Sequence, residues 1–197
     1  MSLASTWVLV TAYLLGAIPV GILAGRACAG IDPREAGSRN IGFTNVLRVA
    51  GKVPGVITLL GDMGKGAFAV ITARTIIGPG EWELAAGAAA IVGHMYPVFL
   101  RFKGGKGVAT ALGTILAINV TIGCLLIIVW LTSAAVWRIS SLAALIAFGT
   151  LPVLVWLFHP HAIMLVFALG VSSLIGYRHI DNIRRLLAGT EPKFSMG

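Results

Sequence analysis

A glycine-rich turn with two lysines is the segment best suited to hold a phosphate group. It has the sequence KGGKGVAT over residues 103–110 and leads directly into an apolar run. Glycines let the backbone approach a ligand closely, and the N–H groups at the start of a helix attract anions. The turn lacks the Ser or Thr that follows Gly-Lys in a nucleotide-binding P-loop, so nucleotide hydrolysis is not indicated. An ordinary basic loop is the alternative interpretation.

Residues 37–48 form a second segment rich in hydrogen-bond donors, with the sequence GSRNIGFTNVLR. Its glycines permit tight turns, its Ser, Thr and Asn side chains donate hydrogen bonds, and its two arginines add positive charge. This mixture suits an oxyanion or a phosphate. A solvated loop in which Ser and Asn side chains cap helices is the simpler alternative.

A third segment, YRHIDNIRRL over residues 177–186, places a histidine and an asparagine on one face of a predicted helix. His179, Asn182 and Ile183 stand at positions i, i+3 and i+4, which are neighbours on a helix surface. A His–Asn pair in this arrangement can orient a hydroxyl group and accept its proton. The alternative is a basic amphipathic tail that contacts anionic lipid headgroups.

Two ionisable residues, Asp62 and Lys65, lie three positions apart inside a long apolar run. Such a pair within a membrane segment is a functional candidate by default, and the alternative is a structural clamp or a support for nearby loops. His94 is predicted to be a hydrogen-bonded interior histidine. His159 and His161 lack a third ligand, and neither cysteine has metal-ligand spacing, so the sequence predicts no metal site.

The composition places all of these residues in an integral membrane protein. Of the 197 residues, 57% are hydrophobic and 11% are charged, and the mean hydropathy is +0.93. A soluble domain has about a quarter of charged residues, and a disordered chain has low hydrophobicity, so both classes are excluded. The net charge of +8 is explained by an excess of Lys and Arg in cytoplasmic loops rather than by nucleic-acid binding.

Five apolar segments are suitable to span a bilayer, and a sixth is too long for one upright helix. The sixth runs from Gly107 to Trp137. As one helix it would be about 46 Å long, against a hydrocarbon core of about 30 Å. It is therefore either one tilted helix or two helices that meet near residues 119–123. The five clear segments are Trp7–Gly25, Val53–Ala73, Leu84–Leu100, Leu142–Phe158 and Ala162–Tyr177.

The distribution of cations favours two helices in the long stretch, and hence seven spans. With seven spans and an outside N-terminus, 13 of the 15 Lys and Arg residues fall on the cytoplasmic side, as the positive-inside rule requires. Six spans would divide the cations eight against six. The predicted fold is all-α, with seven transmembrane helices, one of them short, a cytoplasmic C-terminus and re-entrant-like cytoplasmic loops. The first helix is expected to be retained, and residues 1–197 to form one domain.

The three donor-rich segments together resemble the motifs of one family, and the predicted topology places all three at the cytoplasmic face. Residues 37–48, residues 93–110 and residues 179–186 are similar to the three motifs of the bacterial acyl-phosphate:glycerol-3-phosphate acyltransferases, the PlsY family. The similarity covers essentially the whole chain. The chain departs from the family pattern at Arg39, where the family usually has Gly, and at Phe43, where it usually has Ala.

The resemblance implies that an acyl group passes from acyl phosphate to the 1-hydroxyl of glycerol 3-phosphate, which gives lysophosphatidic acid and phosphate. This would be the first acylation of phospholipid biosynthesis. It implies a multi-pass protein of the bacterial inner membrane with its active site facing the cytoplasm, and neither a cofactor, nor nucleic acid, nor an obligatory protein partner. The alternative is a membrane transporter for a phosphorylated small solute, because basic loops and intramembrane charges also suit transport.

The resemblance also implies roles for individual residues. Lys106 and the amides of its glycine turn would hold the donor phosphate or the developing negative charge. His179 and Asn182 would position glycerol 3-phosphate and assist the deprotonation of its hydroxyl. The implied catalytic residues are Ser38, Lys106, His179 and Asn182. The implied substrate-binding residues are Gly37, Asn40, Thr44, Asn45, Arg48, Gly104, Gly105, Gly107, Ser141 and Arg184.

Overall fold

The protein is described here by a computed structural model that covers residues 2–194, and the regular elements in that range are all helices. The chain divides into two compact units, Met1–Ile118 and Asn119–Gly197. The expectation of an all-α fold is confirmed, whereas the single domain stays a prediction. The first unit contains α1 (Leu3–Ala17), α2 (Val20–Ala29), α3 (Phe43–Ala50), α4 (Lys52–Ile76), α5 (Glu81–Met95), the 3₁₀ turn Val98–Leu100 and α6 (Val108–Ile118). The second contains α7 (Val120–Trp137), α8 (Ser140–Phe158), α9 (Ala162–Arg178) and α10 (Ile180–Leu187).

The long apolar stretch that allowed one helix or two is divided at Asn119, between α6 and α7. Asn119 is extended, and its side-chain oxygen accepts a hydrogen bond of 3.0 Å from the N–H of Ile122. An Asn in this position satisfies one of the unpaired N–H groups at a helix start. The prediction of two helices is therefore confirmed, and α6 has 11 residues.

A break also separates α1 from α2, at Ile18 and Pro19. Proline has no N–H to donate, and it drives the preceding residue out of the helical region. Ile18 accordingly has φ −61° and ψ 119°. The carbonyl oxygen of Ile18 is left outside the regular pattern of either helix, and it is used by a buried lysine described below.

Five stretches among the described residues are long and apolar enough to cross a membrane. They are Leu3–Ala29, Lys52–Ile76, Glu81–Leu100, Val120–Trp137 and Ser140–Phe158. A sixth is obtained if α9 and α10, bent by 63° at their junction, are taken as one span, and α6 is a shorter apolar helix. Large apolar side chains are exposed on these helices, Trp156 and Val166 by 65% each, as expected for surfaces that face lipid. The count of seven spans and their orientation remain predictions.

Small residues let the helices of the first unit approach closely. A methyl group on Gly93 of α5 would overlap the carbonyl oxygen of Tyr13 in α1, and one on Gly113 of α6 would overlap that of Met63 in α4. Such contacts between backbones are typical of helix packing in membranes, where burial of apolar area does not drive association. This packing holds α5 against α1 and α6 against α4, and the glycine turn of the candidate site connects α5 to α6.

The predicted orientation can be tested with single cysteines in a background in which the exposed Cys28 and Cys124 are replaced by serine. A membrane-impermeant maleimide applied to intact cells should label Glu81→Cys and should not label Thr190→Cys, because the cation distribution places the C-terminus inside. A permeant maleimide should label both positions and serves as the control. Labelling of Thr190→Cys alone by the impermeant reagent would overturn the topology.

Candidate active site

The loop between α2 and α3 is organised by the buried side chain of Asn45, which is 3% exposed. Its amide nitrogen donates hydrogen bonds to the carbonyl oxygens of Pro33 (2.9 Å), Ala36 (3.2 Å) and Asn40 (2.8 Å). Its amide oxygen accepts a hydrogen bond of 2.8 Å from the N–H of Ser38. Asn45, implied above to bind substrate, is thus occupied in shaping the loop that presents the exposed Ser38.

A buried carboxylate fixes the start of the same loop. Asp32 forms salt bridges with Arg34 (2.6 Å) and Arg26 (2.8 Å), and it also accepts a hydrogen bond from the Arg34 N–H. The hydrogen bonds from Arg34 and Arg26 outweigh the opposing effect of burial, and they hold the pKa of Asp32 well below its ordinary value. The carboxylate is therefore ionised at neutral pH and anchors two arginines at the base of the loop.

Some polar residues of this loop form hydrogen bonds or close contacts within it, and others have exposed side chains. Gly37 has φ +59°, and a methyl group there would overlap the Asn45 amide oxygen. Asn40 accepts a hydrogen bond of 2.8 Å from the N–H of Gly42. Arg48 is exposed and Thr44 is half-buried, both on α3. Among the predicted site residues of this segment, Ser38 and Arg48 are the two whose side chains are exposed.

The glycine turn is bonded to the end of α5 rather than left open. The N–H of Gly104 donates to the carbonyl oxygen of Met95 (3.2 Å), and that of Gly105 donates to the carbonyl oxygen of His94 (3.1 Å). These two N–H groups are consequently engaged inside the protein. These hydrogen bonds position the turn, and the substrate-binding role of Gly104 and Gly105 stays a prediction.

Close packing explains the glycines of this turn. A methyl group on Gly104 would overlap the His94 carbonyl oxygen, and one on Gly105 would overlap the His94 ring. Gly107 has φ +81° and lies against the Met95 side chain. Lys106, half-buried, stands directly before the first turn of α6. The turn thus places a lysine next to the positive end of the α6 dipole.

A buried cluster of charged and polar side chains packs against the glycine turn through His94. The Lys65 ammonium is 2.8 Å from the Asp62 carboxylate and 2.8 Å from His94 Nδ1. It also donates to the carbonyl oxygen of Ile18 at the α1–α2 break (3.1 Å). All three side chains are buried. His94 is therefore the hydrogen-bonded interior histidine that the sequence predicts, and Asp62 and Lys65 form the ion pair that their spacing allows.

In the second unit, His179 lies buried at the junction of α9 and α10. Its Nδ1 is 2.8 Å from the carbonyl oxygen of Ile175. Because a carbonyl oxygen can only accept, Nδ1 carries a hydrogen. This hydrogen bond fixes the orientation of the buried His179 ring.

The carboxylate of Glu191, which lies near the end of the described residues, is hydrogen-bonded to three other side chains. Its carboxylate accepts hydrogen bonds from Ser141 Oγ (2.6 Å), Asn182 Nδ2 (2.5 Å) and Arg185 Nε (2.6 Å). Burial opposes ionisation of Glu191, but these hydrogen bonds and the Arg185 charge outweigh it and lower its pKa below the ordinary value. Sequence reasoning missed Glu191 and Arg185. The available signal was that Glu191 is the only acidic residue after Asp181.

The predicted site residues are thus divided between the two units. The first unit contains those from the first two donor-rich segments, and the second contains Ser141, His179, Asn182 and Arg184. Arg184 is exposed and pairs with Asp181 (3.1 Å). The meeting of all these residues at one membrane face stays a prediction. Within residues 2–194, no group of three His, Cys, Asp or Glu side chains is arranged to hold a metal ion.

Comparison with known proteins gives consistent matches along the chain. The sequence pattern of the family described as glycerol-3-phosphate acyltransferase matches residues 6–189. The glycerol-3-phosphate acyltransferase of Dinoroseobacter shibae is 48% identical over 92% of this chain and 89% of that protein. The enzyme of the same name from Methylococcus capsulatus is 45% identical over 95% of each chain.

Two solved structures share this fold. Crystal structures of PlsY, an integral membrane glycerol 3-phosphate acyltransferase, match in a glycerol 3-phosphate form (TM-score 0.92, 38% identity) and a lysophosphatidic acid form (TM-score 0.90, 37% identity). Each comparison covers 97% of this chain, together with 96% and 95% of the respective PlsY chain. The similarity confirms the expected integral membrane fold.

Arg39 offers a test of the first loop, because it is exposed and has φ +57°. A left-handed conformation costs an L-residue about 1–2 kcal/mol, part of which glycine recovers. Arg39→Gly should therefore keep or slightly raise the melting temperature. Each Michaelis constant should change by a factor that corresponds to less than about 0.5 kcal/mol. Arg39→Ala, which removes the charge but keeps Cβ, is the control. A tenfold rise in a Michaelis constant, about 1.4 kcal/mol, in both variants would show that Arg39 contacts a substrate.

Glu191→Gln should lower the melting temperature at pH 7. The ionised carboxylate contributes fully above its unfolded pKa of about 4.5, and its contribution is lost as the pH falls through the lower native pKa. Melting temperatures of wild type and variant should therefore converge as the pH falls from 4.5 through the lower native pKa. Asp181→Asn, which removes an exposed carboxylate, is the control and should have little effect. A difference that does not change with pH would refute this assignment.

Proposed function

The chain belongs to the glycerol-3-phosphate acyltransferase family, and on that basis we propose that it acylates the 1-hydroxyl of glycerol 3-phosphate with an acyl phosphate as donor. The products are lysophosphatidic acid and inorganic phosphate. Glycerol 3-phosphate as acceptor follows from the family, while the donor and the position of the acylated hydroxyl belong to the proposal. The observation that carries the proposal is that two loops, each held by its own hydrogen bonds, contain Lys106 in one and Ser38 in the other. Two such loops suit this reaction because both substrates contain a phosphate.

The proposed reaction needs no covalent intermediate on the enzyme. The hydroxyl oxygen of glycerol 3-phosphate attacks the acyl carbon, and a C–O bond forms there. The bond between that carbon and the phosphate oxygen then breaks, and phosphate leaves with the electron pair. Because phosphate is already a good leaving group, the protein's contribution is to orient both substrates, remove one proton and stabilise the negative charge that develops on the carbonyl oxygen.

In the first unit, the proposal gives Lys106 the strongest electrostatic role. Lys106 precedes α6 in the chain, and the N–H groups and dipole at a helix start add to the attraction for an anion. Ser38 and Arg48 are exposed donors on and next to the first loop. A serine hydroxyl and a guanidinium can together bind phosphate oxygens. Lys106 and Ser38 are therefore assigned to phosphate and transition-state contacts.

In the second unit, His179 Nε2 is assigned to accept the hydroxyl proton. Its Nδ1 hydrogen bond to Ile175 fixes the ring orientation and leaves Nε2 as the basic nitrogen. Asn182 lies one helical turn further along the chain, and its amide is oriented by Glu191. Asn182 is assigned to orient the glycerol moiety, and Ser141, oriented by the same carboxylate, to bind substrate.

The proposed donor also explains why the protein is embedded in lipid. A fatty acyl phosphate has a long apolar chain and a charged head, so it resides at the membrane surface. Lysophosphatidic acid has the same character and enters the bilayer as it is formed. We propose the bacterial inner membrane as the location, with the reacting groups facing the cytoplasm, where the predicted excess of cations lies. The reaction requires neither a cofactor nor a protein partner.

The purified wild-type protein tests the proposal directly. Incubation in detergent or liposomes with labelled glycerol 3-phosphate and palmitoyl phosphate should give labelled lysophosphatidic acid and one equivalent of phosphate. Palmitoyl-coenzyme A in place of palmitoyl phosphate should give no product. Product formation only from the coenzyme A ester would contradict the proposed donor, and absence of product from both would contradict the proposed function.

Lys106→Ala and Ser38→Ala should each reduce kcat/KM by about 10²–10³, the cost of removing one preorganised donor from an anionic transition state. Both residues lie in loops, so melting temperatures should change little. Lys106→Arg should recover little activity, because a planar guanidinium does not replace a compact ammonium in a tight turn. Lys103→Ala removes an exposed lysine of the same turn and should retain wild-type activity. Normal turnover in the Lys106 or Ser38 variant would remove that residue from the site.

A further inference from the structure

The buried cluster of Asp62, Lys65 and His94 is not used by the proposed chemistry. We propose that it is a positioning network, in which the Lys65 ammonium holds the two loops that present Ser38 and Lys106 in their active arrangement. The three residues are assigned to positioning and not to contact with substrate. This inference rests on the proposed function for its kinetic consequences, whereas its structural consequences can be measured independently.

The buried position of the ion pair argues against a role in stability alone. The side chains of Lys65 and Asp62 are 6% and 2% exposed. Removal of two charges from water is costly, and well-packed apolar residues in their place are often as stable or more so. What an ion pair adds is a defined geometry, because its hydrogen bonds allow few arrangements. Here that geometry joins three helices at one ammonium.

Toward the glycine turn, the network acts through the orientation of His94. His94 Nδ1 lies 2.8 Å from the Lys65 ammonium and 3.4 Å from the Asp62 carboxylate, so the two charged groups hold the ring at its Nδ1 edge. The Nε2 edge of the ring lies against Gly105, where a methyl group would overlap it. The His94 carbonyl oxygen accepts from the Gly105 N–H as well. Ring and backbone of His94 therefore both determine where Gly105 lies, and Lys106 is the next residue.

Toward the first loop, the network acts through the α1–α2 break. The Lys65 ammonium bonds the Ile18 carbonyl oxygen, immediately before α2 begins. A methyl group on Gly21, in the first turn of α2, would overlap the carbonyl oxygen of Ile41 in the loop. Because α2 and the loop are in direct contact, a shift at Ile18 would be transmitted to the loop. The same ammonium thus braces the elements that carry Ser38 and Lys106.

Two substitutions at His94 separate positioning from stability. His94→Asn keeps an acceptor near the Nδ1 position for Lys65 but removes the ring from Gly105. His94→Gln extends an amide group toward the Nε2 position and should support the turn. We expect His94→Asn to lower kcat/KM by on the order of 100-fold, the cost of misplacing a reacting group by about 1 Å. His94→Gln should retain at least about ten times the kcat/KM of His94→Asn.

The Michaelis constants are the kinetic readout that a merely structural role would not change. A smaller fraction of folded protein lowers apparent turnover but leaves KM unaltered, whereas misplacement of Lys106 weakens phosphate binding. KM for at least one substrate should therefore rise about tenfold or more in His94→Asn. Unchanged KM values, or activities of the two variants that simply follow their melting temperatures, would overturn the proposal.

Hydrogen–deuterium exchange tests the same network without any assay of activity. Peptides covering residues 101–107 should exchange faster in His94→Asn than in wild type, because the Gly104 and Gly105 N–H groups depend on the end of α5. Gly105→Ala displaces the His94 ring but keeps every charge, so it should give the same faster exchange over residues 101–107. It is the second variant to measure if His94→Asn does not fold. Unaltered exchange in both variants would refute the network. An inactive wild type with the expected exchange pattern would refute only the proposed reaction.

Discussion

The need to satisfy a buried ammonium within an apolar environment is the constraint on which the first unit depends. Lys65 cannot reach water from the interior of α4, so its three hydrogens must find partners in the protein. Its partners are a carboxylate on the same helix, the imidazole of His94 and the carbonyl oxygen of Ile18, which also accepts from the Val20 N–H. This requirement specifies how α1, α4 and α5 meet, which close packing of small residues alone would specify less strictly.

The same requirement, that buried polar groups have hydrogen-bond partners, determines the structure of the loops that contain the proposed reacting side chains. Polar backbone groups of a tight loop must be paired, and here they are paired by the protein rather than by a ligand. Asn45 satisfies the backbone of the first loop, and the end of α5 satisfies Gly104 and Gly105. What each loop presents are side chains, Ser38 in one and Lys106 in the other. These hydrogen bonds hold the loop backbone in one arrangement, which lowers the entropic cost of ordering it during binding.

In the second unit a carboxylate has the corresponding role. Glu191 receives hydrogen bonds from Ser141, Asn182 and Arg185, and its ionised form is favoured by them. Two residues implied by family resemblance to act on substrate are thereby oriented by a residue outside the recognised motifs. In each unit, therefore, one buried or half-buried charged group holds several hydrogen-bonding partners in place, and these contacts orient the proposed reacting groups.

The sequence by itself determined the membrane class, the division of the long apolar stretch near residues 119–123 and the three donor-rich segments, because hydropathy, cation distribution and motif spacing can be seen without tertiary contacts. It also identified Asp62 and Lys65 as a pair, since both lie on one helix face. Only the tertiary structure decided that Asn45 and the turn glycines shape their loops, that Lys65 meets His94, and that Glu191 orients Asn182. These assignments depend on hydrogen bonds and packing contacts between separate segments. Residue type shows that a donor exists, but folding decides whether its partner is the protein or remains to be supplied by a substrate.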